Sequence, residues 1–119
     1  MKKFLELVVK GYMHIVIAGK NKCAIEAHKY LRNKYPKHEI IGVANSDDDV
    51  NDGWQPSYKK YLLKNGHTEY RLNDCYDLEN MLFFSVEFDK IIKTENFKSK
   101  KLFNLHFSLL PKYRGCHTN

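Results

Sequence analysis

The apolar positions follow two rhythms. Residues 13–18, Met-His-Ile-Val-Ile-Ala, form a nearly continuous apolar run that stops at Gly19. Residues 39–44, Glu-Ile-Ile-Gly-Val-Ala, and 81–86, Met-Leu-Phe-Phe-Ser-Val, are built alike. Short runs that are apolar on both faces predict buried strands of a parallel sheet. Between the first two lies a different spacing. Cys23, Ala24, Ala27, Tyr30 and Leu31 recur every three or four residues, which predicts a helix over 22–34, closed by Pro36. Strand, helix and strand in about thirty residues make a βαβ unit.

The alternation continues. Trp54-Gln55-Pro56-Ser57 opens a second helix, with Pro56 in its first turn. Tyr58, Tyr61 and Leu62 carry it to about Lys64, and Gly66 caps it. Tyr70-Arg71-Leu72 predicts a brief strand or an extended link, and Asn73 or Asp74 caps a short helical turn after it. Residues 93–99 are a short helical connection into a strand over 101–107. The predicted fold class is α/β: a Rossmann-like, mostly parallel sheet with helices on both faces.

The last predicted strand differs from the others. Asn104, His106 and Ser108 alternate with Phe103, Leu105 and Phe107. In a strand the polar three share one face and the apolar three the other. Pro111 ends the pairing and Gly115 permits a turn. Three polar side chains thus reach the carboxyl end of a strand beside a basic loop, where open α/β sheets hold their ligands. Alternation alone leaves His106 either a satisfied core group or a base.

Composition narrows the picture. With 119 residues the chain is one domain at most, and the net charge is +6. That balance suits an anionic partner such as a nucleotide or nucleic acid; a lysine-rich, solvated surface explains it equally well. RNA binding has no stacked-aromatic or arginine-rich element behind it. Cys23, Cys75 and Cys116 fit neither a zinc pattern nor a Cys-x-x-Cys motif, so reduced thiols and a cytoplasmic location are expected. No run of apolar residues is long enough to span a membrane. Glu6, Lys10 and His14 interrupt what would otherwise resemble a signal peptide. The turn after the first strand has one glycine, so a dinucleotide site has little support. Asp47-Asp48-Asp49 lacks an EF-hand register and reads as a solvated loop, and no metal is expected.

Asn-x-His-x-Ser-Leu-Leu-Pro-x-x-Arg-Gly, at 104–115, fixes eight of twelve positions. It resembles the signature of the 10-formyltetrahydrofolate-dependent formyltransferases. Met13–Lys22, Trp54-Gln55 and Phe84–Ile92 are most similar to the nucleotide-sugar branch of that family. The resemblance covers about residues 13–119, a partial N-terminal catalytic domain. Residues 1–12 have no counterpart and form an N-terminal extension, either a tail from an upstream start or a segment packing Phe4, Leu5, Val8 and Val9 on the domain.

What the resemblance implies is specific. The formyl donor is 10-formyltetrahydrofolate, and the acceptor is the 4-amino group of a dTDP-linked amino-dideoxy sugar of surface-polysaccharide (lipopolysaccharide O-antigen) synthesis. Such a transfer needs an unprotonated amine, donors for a developing oxyanion, and a proton for the leaving nitrogen. His106 takes the acid–base role, since an imidazole titrates near neutrality. Asn104 supplies uncharged N–H donors for the oxyanion. Phe88, Asp89 and Ile91 correspond to a segment lining the folate pocket, and Ser108, Leu109, Leu110 and Pro111 shape the cofactor-side wall. Trp54 is either a packed aromatic or a wall of the nucleotide or sugar pocket. Lys112 and Arg114 meet the nucleotide diphosphate or the folate glutamate, or lie in a solvated loop. The family completes its site with an aspartate that orients the histidine, in a segment beyond the Arg114-Gly115 loop. The expectation is therefore a truncated chain, with very weak or no transferase activity alone, and with a homodimer or a C-terminal half as partner. The alternatives are a non-catalytic nucleotide- or folate-binding fragment and an activity of the methionyl-tRNA formyltransferase type.

Overall fold

The computed structural model describes residues 13–104. Within them five parallel strands form one sheet in the order β3-β2-β1-β4-β5. β1 (His14–Gly19) is the centre, paired along its whole length with β2 (Glu39–Ala44) and β4 (Met81–Val86). These are the three apolar runs, and each is buried almost throughout. β3 (Thr68–Glu69) and β5 (Leu102–Asn104) form the edges of the described sheet.

Two packed layers follow from the alternation of side chains. Ile15, Ile17, Leu82 and Phe84 face α1 (Asn21–Lys34) and α2 (Tyr58–Lys64). α1 buries Cys23, Ala24, Ala27 and Leu31, the expected stripe, together with Ile25 and His28. Val16, Ala18, Ile41, Val43 and Phe83 face the other way, against Cys75 and Phe97. Among the described residues the helical cover there is confined to two 3-10 turns, Leu72–Cys75 and Thr94–Asn96. Full burial of one such side chain contributes about 2–3 kcal/mol, so both layers are needed to hold so small a domain.

Several local expectations are corrected. α2 begins at Tyr58, not near Trp54, because the Ser57 side chain accepts from Lys60 N at 3.0 Å and so caps the helix. Pro56 lies just outside it. Of the two readings of Tyr70-Arg71-Leu72 the extended link holds for Tyr70-Arg71, with Leu72 already in the 3-10 turn; β3 precedes it, and Tyr70 N extends the pairing, to Gly42 O at 2.8 Å. The following turn is capped at Arg71 rather than at Asn73 or Asp74. Asp74 acts from three positions on, accepting Arg71 N at 2.8 Å. Residues 93–99 shrink to a single 3-10 turn, after which the buried Ser99 hydroxyl donates to Met81 O at 2.6 Å. The strand expected over 101–107 is described as Leu102–Asn104, and its remainder lies outside the described residues.

Two glycines mark close approaches. A Cβ on Gly19 would stand 1.9 Å from Val86 O, and one on Gly42 would stand 2.4 Å from Leu62 Cδ1. The first collides with backbone in the middle of the sheet and has nowhere to go.

α1, α2 and β1 also meet at a buried polar node. Tyr58 Oη donates to Ile17 O at 3.1 Å, so His28 Nδ1 must donate to Tyr58 Oη, 2.9 Å away. Its Nε2 is buried with no hydrogen-bond partner among the described residues. The His67 ring stacks on His28 at 5.1 Å. Burial, then His67 and Arg32, push the His28 pKa down to about 3.

Two outcomes are expected. Gly19→Ala should lose about 3 kcal/mol or fail to fold, as read by urea denaturation. For His28, the unfolded chain binds a proton below about pH 6.5 while the folded chain stays neutral until about pH 3. Stability should therefore fall with pH across that window, by up to roughly 1.4 kcal/mol per unit. His28→Leu should flatten that slope between pH 6 and pH 4.5, and an unchanged slope would assign the acid sensitivity elsewhere.

Candidate functional site

The connections run leftward from β1 to β2 and β3, then cross to β4 and β5 on the right. The order reverses between β1 and β4, so a crevice opens beyond Gly19 and Val86, where such sheets bind ligands. Two of the three non-glycine residues with positive φ among the described residues stand at this place: Asn21 at 63° and Glu87 at 57°. Asparagine tolerates that conformation, whereas for Glu87 it costs on the order of 1 kcal/mol.

What holds Glu87 there is Asn45, a side chain only 3% exposed. Asn45 N donates to Gly19 O at 3.1 Å. Its Nδ2 donates to Glu87 O at 3.2 Å, and its Oδ1 accepts Asp89 N at 3.2 Å. Asp89 answers through its carboxylate, which accepts Ser46 N at 3.1 Å and Ser46 Oγ at 2.6 Å. One carboxamide and one carboxylate thus clasp the chain ends that leave β1, β2 and β4. Sequence reasoning missed Asn45, reading only the Asp47-Asp48-Asp49 run beyond it. The signal was there: a polar, turn-forming side chain directly after a fully buried strand.

The clasp also assigns the loop residues. Asp89 is engaged by Ser46, so its carboxylate serves to position the loop. Phe88 and Ile92 pack against the core on the 3-10 side, while Ile91 is 86% exposed. The segment is therefore divided, with Phe88 and Ile92 anchoring it and Ile91 offered to solvent. Phe88 and Ile91 line a hollow of about 570 Å³ together with Tyr70 and Tyr76, and with Arg71 and Lys90 at its polar side.

A second hollow, of about 250 Å³, lies beside the turn after β1, between Lys20, Asn21 and Trp54. Trp54 is 78% exposed, which rules out the packed-aromatic reading. Its loop is tied to α1 through Lys22 N, which donates to Gln55 Oε1 at 3.4 Å. The acidic loop beneath is built rather than merely solvated. Asp48 accepts Val50 N and Lys59 N, at 3.1 and 3.0 Å, and also the Ser57 hydroxyl. Asp52 accepts Ser57 N and Lys60 Nζ, both at 2.8 Å, and these bonds hold its carboxyl below the usual range. These carboxylates are spent on donors of the chain itself, and among the described residues no three metal-ligating side chains come together.

Across the crevice, Val43, Ala18, Ser85 and Asn104 stand in register along β2, β1, β4 and β5. They share the face that carries Val16 and Phe83. Phe103 points the other way and packs on Phe84, ring centroids 5.8 Å apart. The alternation read from the sequence therefore holds at Phe103 and Asn104. Asn104 is exposed, and its Oδ1 lies 3.4 Å from Ser85 Oγ. Its neighbours in that row are small: Ser85 is half-buried and Ala18 is fully buried. His106, Ser108, Leu109, Leu110, Pro111, Lys112 and Arg114 lie outside the described residues.

No family model matches the chain, and no curated protein matches it. Solved structures do. One is the crystal structure of WlaRD, a sugar 3N-formyltransferase, in the presence of dTDP and 5-N-formyl-THF. It is 40% identical over 82% of this chain, with a TM-score of 0.73. Another is the N-formyltransferase from Helicobacter canadensis in complex with folinic acid and dTDP-3-aminofucose, 38% identical over 80% of the chain, also with a TM-score of 0.73. The chain spans 36% of the length of each. Identity at this level, running through a shared parallel-sheet fold, places the chain in the sugar N-formyltransferase family.

Proposed function

We propose that this domain captures a formyl folate and a dTDP-linked amino-dideoxy sugar, and serves the transfer of the formyl group onto the sugar's amine. The observation that carries the proposal is Asn104, an exposed carboxamide in register with Ser85 and Ala18 beside the strand-order reversal. It opens the Asn-x-His-x-Ser-Leu-Leu-Pro motif, and the solved relatives are described with these two ligand classes.

The residues present fit a reduced folate. The Glu87–Ile92 loop is pinned through Asn45 and Asp89, and presents Ile91 and the half-buried Phe88 on an aromatic-lined hollow. A flat heterocycle with peripheral donors and acceptors suits a fixed backbone edge of this kind. When bound, the folate supplies a formyl group activated on nitrogen. With the Ser85 hydroxyl against its Oδ1, the Asn104 amide offers its N–H donors to a developing oxyanion. His106 takes the proton of the attacking amine and returns one to the leaving nitrogen. Trp54, over the hollow beside Lys20 and Asn21, walls the nucleotide-sugar side. Ser108 to Pro111 close the folate side, and Lys112 and Arg114 meet the diphosphate. The wider proposal includes a second copy or a C-terminal unit as partner, and a cytoplasmic setting. The free thiols of Cys23 and Cys75 suit a reducing compartment, and among the described residues no helix is long and apolar enough to cross a membrane.

Whether the accepting amine is on C3 or C4 is decided by assay. The relatives are described with 3-amino chemistry, whereas the sequence resemblance pointed to C4. Calorimetry with 5-formyltetrahydrofolate and with dTDP should give saturable binding of both; binding of neither would refute the proposal. Single-turnover assays with dTDP-3-amino and dTDP-4-amino sugars should yield a formylated product from one of them. Asn104→Ala should then lower that rate by about a hundredfold or more. Binding without product would restrict the domain to ligand capture. Asn45→Ala should cost about 1–3 kcal/mol of stability and weaken folate binding more than dTDP binding, since it frees the loop that carries Phe88 and Ile91.

A further inference from the structure

On the helical side of the sheet, α1 and α2 leave a groove of about 460 Å³ between them. Its apolar floor is Ile25, Pro56 and Tyr61, and four lysines rim it: Lys22, Lys29, Lys60 and Lys64. Two carboxylates also line it, and both are already engaged. Glu26 lies 3.9 Å from Lys29, and Asp52 lies 2.8 Å from Lys60. Lys29 Nζ also sits 5.7 Å from the Tyr61 ring centroid. Lys22 and Lys64, by contrast, have no carboxylate within ion-pair distance among the described residues. The groove is therefore apolar at its base and net positive, with four lysines against two carboxylates.

We infer that this groove docks an acidic peptide segment of another protein, with an apolar side chain on the floor and carboxylates against Lys22 and Lys64. The chain's own segments outside the described residues do not complement it. Residues 1–12 carry Lys2, Lys3 and Lys10 against Glu6, and residues 105–119 carry Lys112 and Arg114 with no acid. A second copy would bring a net charge of +6 against four rim lysines, so this groove is not where a like copy docks. A purely phosphate-bearing ligand would use the lysines and leave the floor idle. Charge at the rim sets approach and register, and the apolar anchor supplies most of the affinity. This surface lies on the helices, so the inference does not depend on the proposed transfer.

The probe is a blocked peptide, Glu-Glu-Leu-Phe-Glu-Glu, titrated into the full chain and followed by amide chemical shifts. Saturable shifts should gather on Lys22, Ile25, Lys29, Tyr61 and Lys64. The double charge reversal Lys22→Glu with Lys64→Glu should weaken binding about tenfold or more. Reversing Lys98 and Lys101, exposed elsewhere, should leave it unchanged. Replacing the Leu-Phe pair of the peptide by Gly-Gly should weaken binding to a similar degree. Absence of saturable shifts, or shifts spread over every lysine, would overturn the inference. So would equal binding of the Gly-Gly peptide or of inorganic pyrophosphate at the same lysines, which would reduce the groove to an unspecific anion patch.

Discussion

The carboxyl edge of this sheet depends on one buried carboxamide. Asn45 is hydrogen-bonded through its backbone N–H and both ends of its side chain, to the chain leaving β1 and to the loop leaving β4. In a poorly solvated place such bonds are strong, and an unmade one is costly. The clasp can close only because Gly19 lets Val86 O approach its Cα. Every candidate ligand group hangs from this arrangement. Trp54 is reached through the turn after β1, Phe88 and Ile91 through the loop after β4, and Asn104 through the ladder from Ser85.

The sheet face beneath the crevice has a matching economy of volume. Ala18 and Ser85 are small where their neighbours along the strands, Val16 and Phe83, are large. Bulk is placed toward the middle of the sheet, where it fills the layer against Cys75 and Phe97, and is withheld at the carboxyl end.

Much of this was legible in the chain. β1, β2 and β4 are continuous apolar runs, and a run buried on both faces has few other places to go. α1 follows from its stripe. The errors fall where local chemistry competes with pattern. Pro56 looked like a first-turn residue, yet Ser57 captured the cap. Tyr70 looked like strand, yet the edge pairing is spent by Glu69 and one further bond. Asp74 looked like a cap, yet it works backward from within the turn. Long-range polar contacts were invisible altogether. Nothing in the spacing announces that Asn45 meets Glu87, or that the His28 imidazole meets the Tyr58 hydroxyl, because each pair is joined only by the finished fold. Asn104 is expected at the site because a motif singles it out; alternation gives its face but cannot give its neighbours.

Gly42 carries a consequence that reaches across the sheet. Tyr58 Oη and Leu62 Cδ1 occupy the space where its side chain would be. α2 therefore rides directly on β2, and its first turn sets the height of Ser57 and of the Trp54 loop above the strand ends. Even a methyl group at position 42 would lift that helix like a shim under a hinge plate. Trp54, just before that first turn, would swing with it, so the hollow it lines would change shape through a residue outside that hollow.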